Sequence, residues 1–327
     1  MAQNTNLKNL FSDEKATFVV VDEASETQKI DNFLLKILKN VPKSHIYKIL
    51  RSGEVRVNKK RVDTTYRLKI DDQVRIPPIA IETERTPHII EPKQQQTAWL
   101  DTNVIFEDGA LLAINKPSGY AVHGGSGLNF GVIELIRHAR PKAKFLELVH
   151  RIDRETSGIL LIAKKRSALV SMHDMMRHNC IEKKYTMMVE GEWTEPKKTV
   201  ELMLKKTFTQ GGERRVNVTD DDNDNQMSKT IFYLKKSLGP YSLLEAKLIT
   251  GRTHQLRVQL AHLGFPILGD DKYGDLSLNK ALQKKGLKRM FLHAFSMKLK
   301  HPLTDEPLEL KAPLPRELDA FLSQQAK

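Results

Sequence analysis

Asp153 lies in the run His150-Arg151-Ile152-Asp153-Arg154-Glu155-Thr156-Ser157-Gly158, where two arginines and a histidine fall within three residues of one carboxylate. Neighbouring cations favour the charged form of a carboxyl group, so the spacing predicts an ionised Asp153. An apolar, strand-like run from Ile159 to Ala163 follows at once. A charged surface loop would account for Arg-x-Asp-Arg alone, but beside an apolar strand of a basic chain the cluster points to chemistry on an anionic substrate. Tyr185 opens another strand-like run behind Lys183 and Lys184, a placement that by itself marks the edge of a core. Downstream, Gly251 to Gly264 reads as a turn, a helix and a glycine stop. Leu256, Leu260 and Leu263 form an inward stripe there, with Arg257 at its margin. A partly buried arginine needs an anion, either a carboxylate from elsewhere in the fold or a substrate phosphate.

The elements that must hold these residues divide the chain unevenly. With 327 residues there is room for two domains. A formal charge of +13 and a pI near 9.6 suggest a polyanion, nucleic acid above all, as partner. No apolar run approaches the roughly 18 residues of a membrane span, and the polar start Met1 to Asn6 is not a signal peptide, so a cytoplasmic protein is expected. Cys180 is the only cysteine, which leaves no intrachain disulfide and no cysteine cluster for zinc.

Ile30, Phe33, Leu34, Ile37 and Leu38 have the spacing of an amphipathic helix, and Pro42 can open a second one that carries Ile46, Ile49 and Leu50 inward before Gly53. The period then shortens to two at Val55 and Val57, and Val62, Tyr66, Leu68, Val74 and Ile76 continue as short strands. Between Gln28 and Pro78 thirteen Lys or Arg face five acids, so this segment carries eight of the thirteen net positive charges. That density marks a phosphate-binding face, with Lys43, Lys48, Arg51, Arg56, Lys59, Lys60 and Arg61 as its expected nucleic-acid contacts. The expected layout is an N-terminal extension over 1–27, a small helix-and-sheet domain over 28–88, a linker over 89–99 and a larger domain over 100–327. In the larger domain, strand-like runs at Val104–Phe106, Leu111–Ile114, Gly158–Ala163, Tyr185–Val189, Ile231–Tyr233 and Leu243–Ile249 alternate with turns and helices. This pattern predicts an α+β fold with a mixed, largely antiparallel sheet.

Residues Ile30 to Leu34, Ser44, Ile46, Gly53 to Asn58 and Asp72 to Ile76 resemble the S4 RNA-binding domain. The Asp153 run, Asn115-Lys116-Pro117-Ser118-Gly119 with Val122-His123, and Gly251 to Val258 followed by Gly264 to Asp270 together resemble the RluA family of pseudouridine synthases, in four motifs across most of Val104 to Pro315. The resemblance implies an isomerase that flips a uridine out of large-subunit (23S) ribosomal RNA or an assembly intermediate and rejoins its base through C5. It also implies no cofactor or metal, and the enzyme is expected to act as a monomer. On the family's pattern Asp153 is the essential aspartate, attacking C6 of the uracil or C1′ of the ribose, or assisting cleavage electrostatically. Tyr185 packs under the base and takes part in the final proton removal, Arg257 pairs with Asp153, and Arg151 refills the RNA stack. His150, Arg154, Lys116, His123 and Arg252 are expected around the substrate.

Other signals carry less. The acidic run Asp220 to Asn225 lacks the glycine and glutamate of a calcium loop, and Gly124-Gly125-Ser126-Gly127 lacks the lysine of a phosphate-binding loop. His254 and His262 stand eight apart, without a zinc enzyme's spacing, and Ser157 has no nucleophile-elbow context. Two other classes compete: a non-catalytic rRNA-binding or assembly factor, which charge alone would fit, and an S4-linked RNA methyltransferase, for which no glycine-rich strand-to-helix turn is present.

Overall fold

A computed structural model describes residues 15–38, 41–79, 92, 94–125, 130–208, 214–219 and 225–325. The chain divides into two compact units, 1–91 and 92–327. In the first, helices α1 (Ile30–Ile37) and α2 (Lys43–Arg51) lie with strands β1 (Thr17–Val20), β2 (Arg56–Val57), β3 (Lys60–Arg61) and β4 (Gln73–Ile76). The strands form one antiparallel sheet in the order β1-β4-β2-β3. The helical spacing puts Ile30, Phe33, Leu34, Ile46, Ile49 and Leu50 into one core with Val57, Val74 and Ile76 from the sheet. Strand β1 falls within the expected N-terminal extension, yet pairs residue for residue with β4 from Thr17↔Ile76 to Val20↔Gln73. Four residues are too few for a period-2 signal to stand out, and the pairing partner lies more than fifty residues away. Val62, Tyr66 and Leu68 lie outside the named strands; the Leu68 N–H donates to the Gln28 carbonyl and the Ile30 N–H to the Tyr66 carbonyl.

The second unit begins earlier than the expected linker allows. Helices α3 (Gln94–Thr97) and α4 (Trp99–Thr102) precede β5 (Val104–Glu107), Leu100 is buried, and the Trp99 ring packs on Tyr120 at 5.0 Å. Most of the proposed linker before Gln94, part of the glycine-rich turn and most of the acidic run lie outside the described residues. The chain continues through β6 (Leu111–Lys116), α5 (Val132–Ala139), β7 (Glu147–Leu148), β8 (Ser157–Ala163), α6 (Arg166–Arg177), β9 (Glu182–Glu190), β10 (Lys197–Phe208), β11 (Arg214–Val218), β12 (Gln226–Leu238) and β13 (Tyr241–Leu248). Helices α7 (Gln255–His262) and α8 (Leu276–Lys284), strands β14 (Leu292–Lys300) and β15 (Pro307–Lys311), and helix α9 (Arg316–Gln325) complete it.

An eleven-stranded sheet runs β11-β10-β12-β13-β9-β14-β8-β6-β5, with β15 on β14 and β7 on β8. Every pairing in it is antiparallel except β14 with β8, so the fold is α+β with a largely antiparallel sheet. That parallel contact joins the two halves of the sheet through His293↔Ser157 and Ala294↔Gly158. Glycine is required there. Gly158 has φ +112°, and a Cβ would stand 2.2 Å from the Ala294 carbonyl oxygen. All seven residues of β8 are buried, which is why its sequence reads as one apolar run.

Candidate active site

The Asp153 loop enters β8 at this seam, and the neighbouring strands bring the other side chains to it. Tyr185 from β9, Leu248 from the end of β13, the turn Gly251 to Gln255 and Leu292 from β14 line a solvent-open cleft with Arg151, Ile152, Asp153 and Thr156. Tyr185, Leu248, Leu256 and Leu292 also belong to one buried cluster, so the apolar core forms the floor of the cleft.

Arg257, on α7, is 5% exposed and paired. Its Nε and Nη2 donate to the two carboxylate oxygens of Asp270, each at 2.7 Å, while Nη1 lies 3.6 Å from Asp153 Oδ2. The anion that the helix pattern demands is therefore Asp270, fully buried, which also accepts from the backbone N–H groups of Lys272 and Tyr273. Burial alone would lower the Arg257 pKa, but hydrogen bonding to Asp270, with the charges of Asp270 and Asp153, leaves it raised. The same exchange outweighs burial at Asp270 and holds its carboxyl below its ordinary value. A forked pair of this kind fixes a guanidinium in one plane, and the remaining nitrogen is thereby aimed at Asp153.

Tyr185 is 9% exposed, and burial, followed by the charge of Asp153, pushes its phenol up from its ordinary value. Its ring is a neutral wall of the cleft facing the carboxylate. Arg151 and Arg252 are exposed residues of the same lining, and Arg252 Nε donates to the Met227 carbonyl at 3.1 Å.

The other residues expected around the substrate face elsewhere. Lys116 is fully buried, its Nζ donating to the carbonyls of Pro117 (2.9 Å), Tyr120 (2.9 Å) and Arg154 (3.0 Å). Burial, then the charge of Arg289, lowers its pKa to about 7. It ties the Asp153 loop to the end of β6. His150 accepts a hydrogen bond from the Leu161 N–H at 3.1 Å, and burial, then Lys183, brings its pKa down to about 3, so the neutral ring serves as a backbone acceptor. Arg154 is mostly exposed, donating from Nε to the Gly119 carbonyl, and His123 is exposed; neither lines the cleft. The basic residues expected around Asp153 thus divide into rim residues and internal fasteners, a division that their packing and hydrogen bonds set and charge alone does not reveal.

His254, Asp270 and Tyr273 complete the site without having been singled out for it by sequence; spacing speaks to His254 only as a zinc ligand. His254 adopts left-handed backbone angles (φ 53°, ψ 19°) just before α7. Such angles cost a non-glycine residue energy and concentrate at functional positions. Its Nε2 lies 4.0 Å from Asp153 Oδ2, and its Nδ1 is 2.9 Å from the Tyr273 hydroxyl. That hydroxyl accepts the Val216 N–H at 3.0 Å, so its own proton is free for Nδ1. Burial lowers the His254 pKa, and Arg257 and Lys272 oppose its charging while Asp153 favours it. The neutral tautomer that satisfies these partners carries its proton on Nε2, facing Asp153. Among the described residues no three His, Cys, Asp or Glu converge to hold a metal ion, and no helix is long and apolar enough to cross a membrane.

Comparison with known proteins gives the family. Residues 110–262 match the family model of RNA pseudouridylate synthases, and residues 28–74 match the S4 domain. A ribosomal large subunit pseudouridine synthase C from Pasteurella multocida is 48% identical over 93% of this chain and 92% of its own length. Its counterpart in Escherichia coli strain K12 is 46% identical over 95% and 96%. This chain belongs to the pseudouridine synthase family. The structure of human RNA pseudouridylate synthase domain containing 4 covers 71% of the synthase at 25% identity, with a TM-score of 0.59. The synthase is therefore an RNA isomerase of the α+β type, with an S4 domain ahead of its catalytic domain.

Proposed function

We propose that this enzyme converts specific uridines of large-subunit ribosomal RNA to pseudouridine, with Asp153 as the residue that acts on the flipped nucleoside. The observation that carries the reading is the chain Asp270–Arg257–Asp153, which ends at the cleft opposite Tyr185. The reaction breaks N1–C1′, turns the uracil, joins C5 to C1′ and exchanges a proton from C5 for one at N1. A free base must be retained throughout, and the apolar floor with the Tyr185 ring provides a surface to hold it. Because burial and Asp153 both disfavour the phenolate, Tyr185 acts as a neutral platform for the base. The Nε2–H of His254 is a donor beside Asp153 for an oxygen of the substrate. Flipping costs a few kcal/mol of stacking, which basic residues on the RNA offset, and Arg151 at the rim is placed to fill the vacated position. The S4 domain holds structured RNA through the cationic residues of α2 and the β2–β3 turn, Lys43, Lys48, Lys59 and Lys60 among them. A monomer acting in the cytoplasm, where ribosomal subunits are assembled, is the setting that accompanies this reading.

The deciding experiment uses transcribed large-subunit rRNA labelled with tritium at uracil C5, whose release reports the reaction. Asp153→Asn should bind the RNA with wild-type affinity and lose activity by roughly a thousandfold or more. Release at the wild-type rate would refute the role of Asp153. Comparing pseudouridine maps of rRNA from cells with and without the protein identifies the target uridines, and unchanged maps would refute rRNA as substrate.

A further inference from the structure

The small sheet has one face on the helices and one face outward. Val57 and Val74 belong to the buried core, while the alternate positions form a row that takes one residue from every strand: Phe18 opposite Arg75, Arg75 opposite Arg56, and Arg56 opposite Arg61. Phe18 is 52% exposed, and Val20, two residues along the same strand, is 60% exposed. Arg56 and Arg61 are exposed and Arg75 is half-buried.

The three guanidiniums converge on the turn that follows α2. Arg61 Nη2 donates to the Ser52 carbonyl, Arg56 Nε to Gly53 at 3.3 Å and Arg75 Nη1 to Glu54 at 2.8 Å. Arg51 donates from Nε to the Tyr47 carbonyl one turn back, adding a fourth cation at the same helix end. Cations cap helix C-termini, and one of these would serve that purpose, because the helix end carries only about half a negative charge. Four are a surplus, and none of the four pairs with a carboxylate among the described residues. A guanidinium has five N–H donors, so one carbonyl bond steadies each side chain and leaves most of its donors free. Held in place beforehand, such groups lose less conformational freedom when an anion arrives.

We propose that this outward row is a second RNA-binding face of the S4 unit, separate from its helices, which takes the phosphates of a single RNA strand on Arg56, Arg61 and Arg75 and stacks a base on Phe18. Charge selects a polyanion, and the exposed ring beside it selects one with flat bases, since base-on-aromatic stacking and cationic grooves together bind unpaired strands. The proposal rests on the reading of this chain as an rRNA-binding enzyme and adds a surface to it.

The test measures binding of the full chain to transcribed large-subunit rRNA and to a single-stranded oligouridylate across a salt series. Arg56→Gln with Arg75→Gln keeps an N–H for each carbonyl and removes two charges. It should lower the slope of log affinity against log salt by about 1.4 for the oligouridylate, at about 0.7 per phosphate contact. Phe18→Ala should weaken oligouridylate binding about tenfold with the slope unchanged. Arg56→Lys with Arg75→Lys should restore the slope. Failure of the lysine pair to restore it, or wild-type binding by the glutamine pair and Phe18→Ala, overturns the proposal. Lys43→Gln with Lys48→Gln, on α2, separates the two readings: a loss of rRNA affinity there with none on the sheet face sinks the second face alone, and no loss at either sinks RNA binding by the S4 unit.

Discussion

The two units use arginine in opposite ways. In the catalytic unit Arg257 is buried, forked onto a fully buried Asp270 and aimed at a second carboxylate. In the small unit Arg51, Arg56 and Arg61 are exposed, each on one backbone carbonyl and without a carboxylate among the described residues. A charge inside a fold must be matched, and matching it fixes its direction; a charge outside can remain unmatched and be offered to a ligand. On the proposed reading, orientation for chemistry and affinity for RNA draw on the same residue type at two levels of burial.

The largest effect that would break this contrast is at Asp270. Asp270→Asn leaves Arg257 buried without the carboxylate it is forked onto, with only the more distant Asp153 and Asp271 as counter-charges, which should cost about 3 kcal/mol of unfolding free energy. Turnover should fall on the order of a hundredfold as Arg257 loses its aim. Because the folded state holds the Asp270 carboxyl below its ordinary value, its stabilising contribution is complete above that ordinary value and is lost as the pH falls through the lower, folded one. Denaturation midpoints of wild type and variant should therefore converge in acid. Equal stability at neutral pH would show that the buried pair does not matter to the fold.

A smaller effect sharpens the catalytic side. Tyr273→Phe removes the hydroxyl that directs the His254 proton and that accepts the Val216 N–H, and should lower kcat roughly tenfold, the equivalent of one hydrogen bond, with KM little changed. His254→Gln, which keeps an N–H donor, should retain more activity than His254→Ala. Equal rates in those two variants would remove the donor role of Nε2. The smallest effect belongs to the exposed side: Arg51→Gln should shift unfolding free energy by no more than about 0.5 kcal/mol. A larger shift, read by denaturant titration, would mean that the exposed arginines are structural caps after all.

Legibility in the sequence follows the same division. Asp153 and the α7 arginine could be found because cations around one carboxylate, and a cation beside a leucine stripe, are local patterns. Asp270 could not, since nothing in the sequence sets it apart from the adjacent Asp271 or relates its spacing to the guanidinium it holds. Lys116 and His150 looked like substrate contacts because each lies in a motif that resembles the family, and only their hydrogen bonds to the backbone set them apart from Arg151. Strands β5, β6, β8, β9, β12 and β13 contain compact apolar runs and were visible. Strand β14 places the buried polar residues His293 and Ser296 among its apolar ones, which disrupts the alternation of the strand at the centre of the sheet. Strand β1 was hidden by its shortness and its distant partner.

The seam between β8 and β14 has a consequence for how the enzyme comes into being. Residues that meet at Ser157↔His293 and Gly158↔Ala294 are separated by more than 130 positions. On the ribosome, the loop bearing Asp153 emerges long before the strand that closes beside it, and a nascent chain ending short of Leu292 contains the Asp153 carboxylate but neither that wall of the cleft nor the bridge between the sheet halves. The strands of the S4 segment, by contrast, find their partners among the described residues between Thr17 and Ile76. A chain still being made can thus present the elements that grip RNA well before it possesses a finished site with which to alter one.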